Sequence, residues 1–319
     1  MIERHRREIS VALAIIVLGV VLAVISPAFF FRENIVDIFL ASLPVLIVAL
    51  GMTLVIVVGQ IDISVGSVFA ICGVASGLLA KAGIPLPLAL AGACLVGAAL
   101  GALNGGLVAY ARIPSIVATL ATMVALRDAL RWATDGAWVQ DLPPGFQWLG
   151  FGQAGYPVVA GAVALGLSVG LAWGLRNLPI GRAVYATGSN HDAAHLAGIR
   201  TGRVTFAVFV AAGALTGLAA SLNAVRFSQI PSNAGLGLEM KVIAAVVVGG
   251  TAITGGRGNV TGTLLGVVLL GAIGPALTFL GVSPYWERAI QGAIILTAVA
   301  VDAFRIRPVT HTALAVGRA

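Results

Sequence analysis

Gly181-Arg182-Ala183-Val184-Tyr185-Ala186-Thr187-Gly188-Ser189-Asn190-His191-Asp192-Ala193-Ala194-His195-Leu196-Ala197-Gly198-Ile199 is the longest stretch in the second half of the chain that cannot sit in hydrocarbon. Arg176, Arg182, Arg200 and Arg203 frame it, His191 and His195 lie within it, and long apolar blocks stand on either side. A wet segment between dry blocks is the pattern of a chain that leaves and re-enters a membrane.

Composition agrees with that reading. Of 319 residues, 59% are hydrophobic and 10% charged, whereas soluble domains carry about 25% charged residues. Spanning helices satisfy their own backbone hydrogen bonds, and each needs roughly 20 apolar residues. The apolar blocks predict an all-α integral membrane protein with spans near 11–31, 36–58, 64–80, 86–110, 115–131, 157–176, 204–224, 240–256, 260–281 and 286–304. The first block is long enough to span and no A-x-A cleavage site follows it, so a retained helix is expected. Net charge is +7, but no basic face interleaved with aromatics exists, and the arginines fall between apolar blocks. That arrangement fits membrane topology and not nucleic acid. Cys72 and Cys94 lie inside apolar runs and read as small buried hydrophobes.

With the N-terminus cytoplasmic, 12 of the 19 Lys and Arg fall inside and 7 outside, the bias lying at both ends (Arg4, Arg307 and Arg318 among them) and in the central loop. Both termini are therefore expected in the cytoplasm, with one transmembrane domain over 1–319, a cytoplasmic loop at about 177–203 and a long outer loop at about 132–156. The outer loop's three tryptophans suit a membrane-interface belt. Two stretches leave eight or nine spans as the alternative count. The run 51–77 reads as two helices or as a pair broken at Gly59-Gln60-Ile61-Asp62, and Gly249-Gly250 through Gly255-Gly256 reads as span or re-entrant turn.

Glycine supplies 41 residues, and Gly97, Gly101 and Gly105, like Gly262 and Gly266, follow the small-xxx-small spacing that lets helices approach closely in lipid. Val57 to Gly66 also resembles Val247 to Gly256, as repeated halves with broken helices would, or as chance in a sequence rich in Gly and Val. Asp62 in an apolar stretch reads either as the cap of a helix beginning near Ser64 or as a substrate contact. Glu239 reads as a carboxylate favoured by a helix N-terminus, with Arg226 and Lys241 nearby to pair with it.

Gly59-Gln60-Ile61-Asp62-Ile63-Ser64-Val65-Gly66-Ser67, Leu103-Asn104-Gly105, Pro114 to Leu120, Gly181-Arg182, Ala186 to Asn190, Ala193-Ala194, Ala197-Gly198-Ile199 and Ala244 to Gly250 occur in order. Together, over residues 35 to 302, they resemble the permeases of bacterial sugar-type ABC importers, the ribose, xylose, arabinose, rhamnose and autoinducer-2 branch. Gln60 departs from that pattern, which more often has glycine there and so more local backbone freedom. The resemblance implies the ten-helix importer permease fold in the plasma (inner) membrane. It also implies a separate ABC ATPase that binds ATP and Mg, a periplasmic or extracellular sugar-binding protein, and a second permease copy or a paralogous permease. This chain would hold no cofactor of its own.

The opening stretch fits such a role on its own chemistry. Ser189 or Asn190 can cap a short helix, Asp192 complements its dipole and Gly198 can end it in the left-handed conformation. At about two turns the helix needs a partner surface. Ser189, Asn190, Asp192, Ala193, Ala194, Leu196, Ala197 and Gly198 are thus the residues expected to couple to the ATPase, with Ala194→Arg expected to uncouple it. His-Asp-Ala-Ala-His resembles the zinc motif H-E-x-x-H but carries the shorter Asp and has no evident third ligand, so no metal site is expected. No G-K-[ST] phosphate loop exists, so the chain is not itself an ATPase. The expected function is import of a monosaccharide or related polyol-like solute; the alternative is a secondary, ion-coupled sugar symporter, which would want more intramembrane carboxylates. Asp62, Asn104, Asn223 and Glu239 are candidates for the translocation path, and Arg127, Arg131 and Arg226 for docking the binding protein.

Overall fold

The computed structural model describes residues 6–283 and 285–305; Arg4, Arg307 and Arg318 lie outside them. The described chain is all-helical, without strands apart from an isolated bridge between Val139 and Ile230. Its helices are α1 (Arg6–Ile25), α2 (Arg32–Val57), α3 (Val65–Lys81), α4 (Leu86–Ala109), α5 (Ser115–Thr134), α6 (Gly152–Asn177), α7 (Pro179–Ser189), α8 (His191–Leu196), α9 (Thr201–Ala224), α10 (Leu238–Val248), α11 (Val260–Phe279) and α12 (Trp286–Arg305). Six of them, α1, α2, α4, α6, α9 and α11, are long and apolar enough to cross a membrane, and α3 is a shorter apolar helix.

Local chemistry sets most boundaries. Pro27 opens a one-turn 3-10 helix after α1, and its Phe29 packs edge-on against Phe279. Asp135, left-handed at φ 50°, closes α5. Leu178 is extended (ψ 148°) before Pro179, as a residue preceding proline prefers, and there α6 turns into α7.

Packing places α2 at the centre and α1 at the edge: 89% of α2's apolar window is buried inside the bundle, against 11% for α1. The tightest pair is α4 on α9. Gly97 and Gly101 lie directly on the backbone of Gly213 and Phe209, where a Cβ would collide, and Gly105 packs on Phe206 and Phe209. Gly262 and Gly266 press likewise on Gly249 and Ala245, joining α11 to α10. Both small-residue stripes expected from spacing are therefore helix contacts.

Two elements add to what the sequence left open. Of the two readings of 240–256, span or re-entrant turn, the full span does not form: α10 has 11 residues, about 16 Å of helix, or roughly half of the hydrocarbon thickness. Glycines at 249, 250, 255 and 256 end it. The first half of 181–199 is helical rather than loop, because Pro179 takes the first position of α7, where its missing N–H costs nothing.

Candidate functional site

The segment between α2 and α3 is the structural exception in the bundle. Gly59 takes a left-handed turn at φ 83°, Gln60 N closes the end of α2 by donating to Val55 O at 2.9 Å, and residues 61–63 then run outside any helix. Gln60 is not among the positive-φ residues, so the unusual backbone falls on Gly59. Free amides at such depth must find partners, and α5 supplies them: Ile61 N donates to Ser115 Oγ (3.2 Å) and Ile63 N to Thr119 Oγ1 (3.0 Å). Ser67 Oγ then donates to Met123 O at 2.7 Å. From Ser115 to Thr119 the segment climbs about 6 Å along α5 before α3 begins at Val65, so α3 starts one turn up α5.

Asp62 organises that start. Its Oδ1 accepts from Ser64 N at 2.8 Å and from Ser64 Oγ at 2.6 Å, and Asn104 Nδ2 of α4 donates to the same Ser64 Oγ at 2.7 Å. Asp62 is 4% exposed and Asn104 fully buried, and Asn104 Oδ1 has no hydrogen-bond partner among the described residues. Asp62 thus shapes the turn before α3 rather than capping its first amides, for Ser64 is the N-cap residue and makes no side-chain cap bond, and the Ser64 hydroxyl brings Asn104 to the same spot. Glu239, in the first turn of α10, arrives two residues further on: its Oε2 packs against Gly66, where a Cβ would collide with it, Arg127 Nη2 approaches the same glycine, and Oε2 has no hydrogen-bond partner among the described residues. The N-termini of α3 and α10 thus meet inside the bundle. Asn223 does not join them; its carbonyl accepts from Arg226 N where α9 ends.

The two glycine-rich breaks that resemble each other in sequence touch in space. Gly256 N donates to Val57 O at 2.8 Å, and Gly255 packs on Gly59. Gly188, near the end of α7, sits on both: a Cβ there would collide with Val57 O and would come within 2.8 Å of Gly256 N. Tyr185 Oη donates to Gly258 O at 2.7 Å, adding a second tie from α7. Asn190 Oδ1 then caps α8 by accepting from Ala193 N (2.9 Å), Asp192 stands in its first turn, and Gly198 is left-handed at φ 85°. The cap therefore falls to Asn190, while Ser189 is exposed and packs beside Gly256.

Exposure divides the α8 residues. Leu196 is 88% exposed and Ala194 only 6%; Asp192, Ala193, Ala197 and Gly198 are exposed. Ala194 is part of the packing, so Ala194→Arg would damage the fold, and the uncoupling test belongs at Leu196. Beside α8 lies a polar cleft of about 740 Å³, lined by Gln60 from the break, Arg112, Thr205, His191 and His195. Among the described residues no group of three His, Cys, Asp or Glu could hold a metal.

Two of the three arginines expected on a docking surface are elsewhere. Arg127 is 8% exposed and donates to Ala234 O at 2.8 Å. Arg226 donates to Leu40 O of α2 at 3.0 Å and lies over Phe227. Each takes a carbonyl that lacks a helical partner: Leu40 O because Pro44, four residues on in α2, has no N–H to give it, and Ala234 O because it lies in the turn before α10. Arg131 is exposed, paired with Asp128 at 3.4 Å. Sequence reasoning missed Ser115 and Thr119, whose signal was two hydroxyls four residues apart on one helical face, and it missed the contact of Gly188 with both breaks.

Comparison with known proteins gives a concordant picture. Residues 34–299 match the family model described as branched-chain amino acid transport system / permease component. The chain is 35% identical over 304 residues to the autoinducer 2 import system permease protein LsrC of Salmonella typhi, covering 94% of this chain and 86% of that one. It is 36% identical over 296 residues to the ribose import permease protein RbsC of Haemophilus influenzae, covering 91% of each. No solved structure matches.

Proposed function

The chain belongs to the branched-chain amino acid transport system / permease component family, and from that premise we propose that it is the membrane-spanning subunit of an ATP-driven sugar importer. It is a multi-pass membrane protein and a transport subunit rather than an enzyme. In this reading one transmembrane domain of ten membrane segments comprises α1 to α6 and α9 to α12, with α3 and α10 as partial ones. Both termini lie in the cytoplasm, and the membrane is the plasma (inner) membrane. Glu8 near the start of α1 bonds Asn259 at the α7–α8 end of the bundle, which supports an N-terminus on that side.

The observation that carries the mechanism is Gly188. An element outside the span, α7–α8, touches both broken helix pairs through one glycine, so displacing it biases two membrane elements together. A separate ATPase gripping α8 at Leu196 would move it when ATP and Mg close the nucleotide sites, and the free-energy difference between the two bundle states would be set by that grip. Solute crosses near Asp62, Asn104 and Glu239 and leaves past Gln60 into the polar cleft. Autoinducer 2 and ribose, named in the relatives, suggest a small polyhydroxylated solute delivered by an external binding protein, with Arg131 at the docking side. A second permease, identical or paralogous, completes the pore.

The test is uptake of ribose or autoinducer 2 into vesicles holding the chain, its ATPase and its binding protein. Uptake is expected to require ATP and to survive collapse of the proton gradient. Uptake that needs the gradient and ignores ATP would instead indicate an ion-coupled symporter.

A further inference from the structure

Away from that site, α6 stands off α9 and leaves an apolar groove of about 520 Å³, lined only by Leu, Val, Ile, Ala and Gly. Gly166 and Gly170 form its α6 wall, and a Cβ at either would meet nothing within 4 Å. Exposed Ala207 of α9 lies opposite. The groove is therefore open to its surroundings and unfilled by the chain.

Length and charge identify its occupant. Its α6 wall runs from Gly166 to Leu178, about 18 Å of helix, close to the roughly 15 Å that one leaflet contributes to the hydrocarbon core. It closes at the α6–α7 corner, where Ile180 and Gly181 form the end. At that end stand Arg176, Arg182, Arg200 and Arg203, all exposed, with Asp192 the sole acidic residue between 176 and 203. Arg203 is one turn before Ala207 on the same stripe of α9. A second copy of the chain docked here about a two-fold axis would bring these arginines together, which like-charge repulsion opposes. A dry slot one leaflet deep with a basic rim fits a lipid tail below a negative headgroup.

We propose that this groove binds one anionic phospholipid, its acyl chain between α6 and α9 and its phosphate at Arg200 and Arg203. Resting on the cytoplasmic placement of α7–α8 proposed above, the lipid comes from the inner leaflet and wedges beneath α7, so it bears on the height at which Gly188 meets the two breaks.

Native mass spectrometry of the full chain in detergent, titrated with phosphatidylglycerol or phosphatidylcholine of identical acyl chains, tests this without ATP, ATPase or transport. Failure here is thereby separate from failure of the importer reading. One phosphatidylglycerol is expected to bind in preference, by about fivefold for each arginine engaged. Arg200→Ala with Arg203→Ala is expected to abolish the preference while leaving tail binding, and Gly170→Leu to weaken both lipids. Ala207→Leu, from the opposite wall, repeats that test should Gly170→Leu fold poorly. Equal binding of the two lipids would overturn the anionic assignment. Undiminished binding in both filled-groove variants would overturn the location, and an oligomer dissociated by those variants would give the groove to a second copy instead.

Discussion

Asp62 illustrates how a single carboxylate can be structural in a setting where charge is expensive. Its Oδ1 accepts two bonds from Ser64, so Asp62→Ala leaves a buried amide and hydroxyl without their acceptor and is expected to lower stability by about 1–3 kcal/mol. Asp62→Asn keeps an oxygen at that position and is expected to melt near the wild type; thermal unfolding of the purified chain compares the two, and equal losses would sink the acceptor role. Gly66→Ala places a methyl group on Glu239 Oε2 and 2.5 Å from Gly235 O. It is expected to abolish uptake while expression and membrane insertion persist. Asp62 was legible because an acidic residue two positions before a helix-opening serine is a local pattern. Arg127 was not, because spacing places a residue on α5 without saying whether its long side chain turns out to water or inward to Ala234 O.

Among the elements, α8 was the most readable and α10 the least, for related reasons. The caps of α8 lie within nine residues, Asn190 at one end and Gly198 at the other, and such signals need no distant partner. Where α10 stops depends on Gly249, which lies on the backbone of Gly262, and the turn beyond it on Gly255 and Gly256, which meet Gly59, Gly188 and Val57, contacts that no window of sequence contains. The glycine stripes fall between: 97, 101 and 105 announced a close approach but not that α9 would receive it. Gly101→Leu is expected to push α4 off Phe209 and cost roughly 1–3 kcal/mol, read as a fall in melting temperature. Leu196→Arg, at an exposed position, is expected to leave that temperature unchanged and to abolish capture of the ATPase. Gly188→Ala is expected to do the opposite, retaining the ATPase while cutting coupled uptake by more than about tenfold; full uptake by that variant would remove Gly188 from the mechanism.

The molecule as a whole is a bundle whose orientation follows from where α7–α8 lies. A cysteine replacing Leu196 is expected to react with impermeant maleimide only in inside-out vesicles, and one replacing Trp132, 85% exposed in the last turn of α5, only in right-side-out vesicles. The same reagent pattern at both positions would overturn the topology. The class was legible because hydrocarbon imposes its thickness on any chain that crosses it; the two breaks were legible only as alternatives to full spans, since they replace local hydrogen bonds by remote ones. That substitution has a consequence for biosynthesis. The carbonyl of Val57 leaves the ribosome roughly 200 residues ahead of the Gly256 amide that will bond it, and contacts so distant in the chain form late. Ser115, Thr119 and Asn104 arrive much sooner, so the nascent chain closes its break in two instalments, first against α5 and α4, then against Gly188 and Gly256. Between them the end of α2 must stay within reach of water or of the insertion machinery, which makes the interval before residue 256 emerges the stretch of synthesis most exposed to misinsertion.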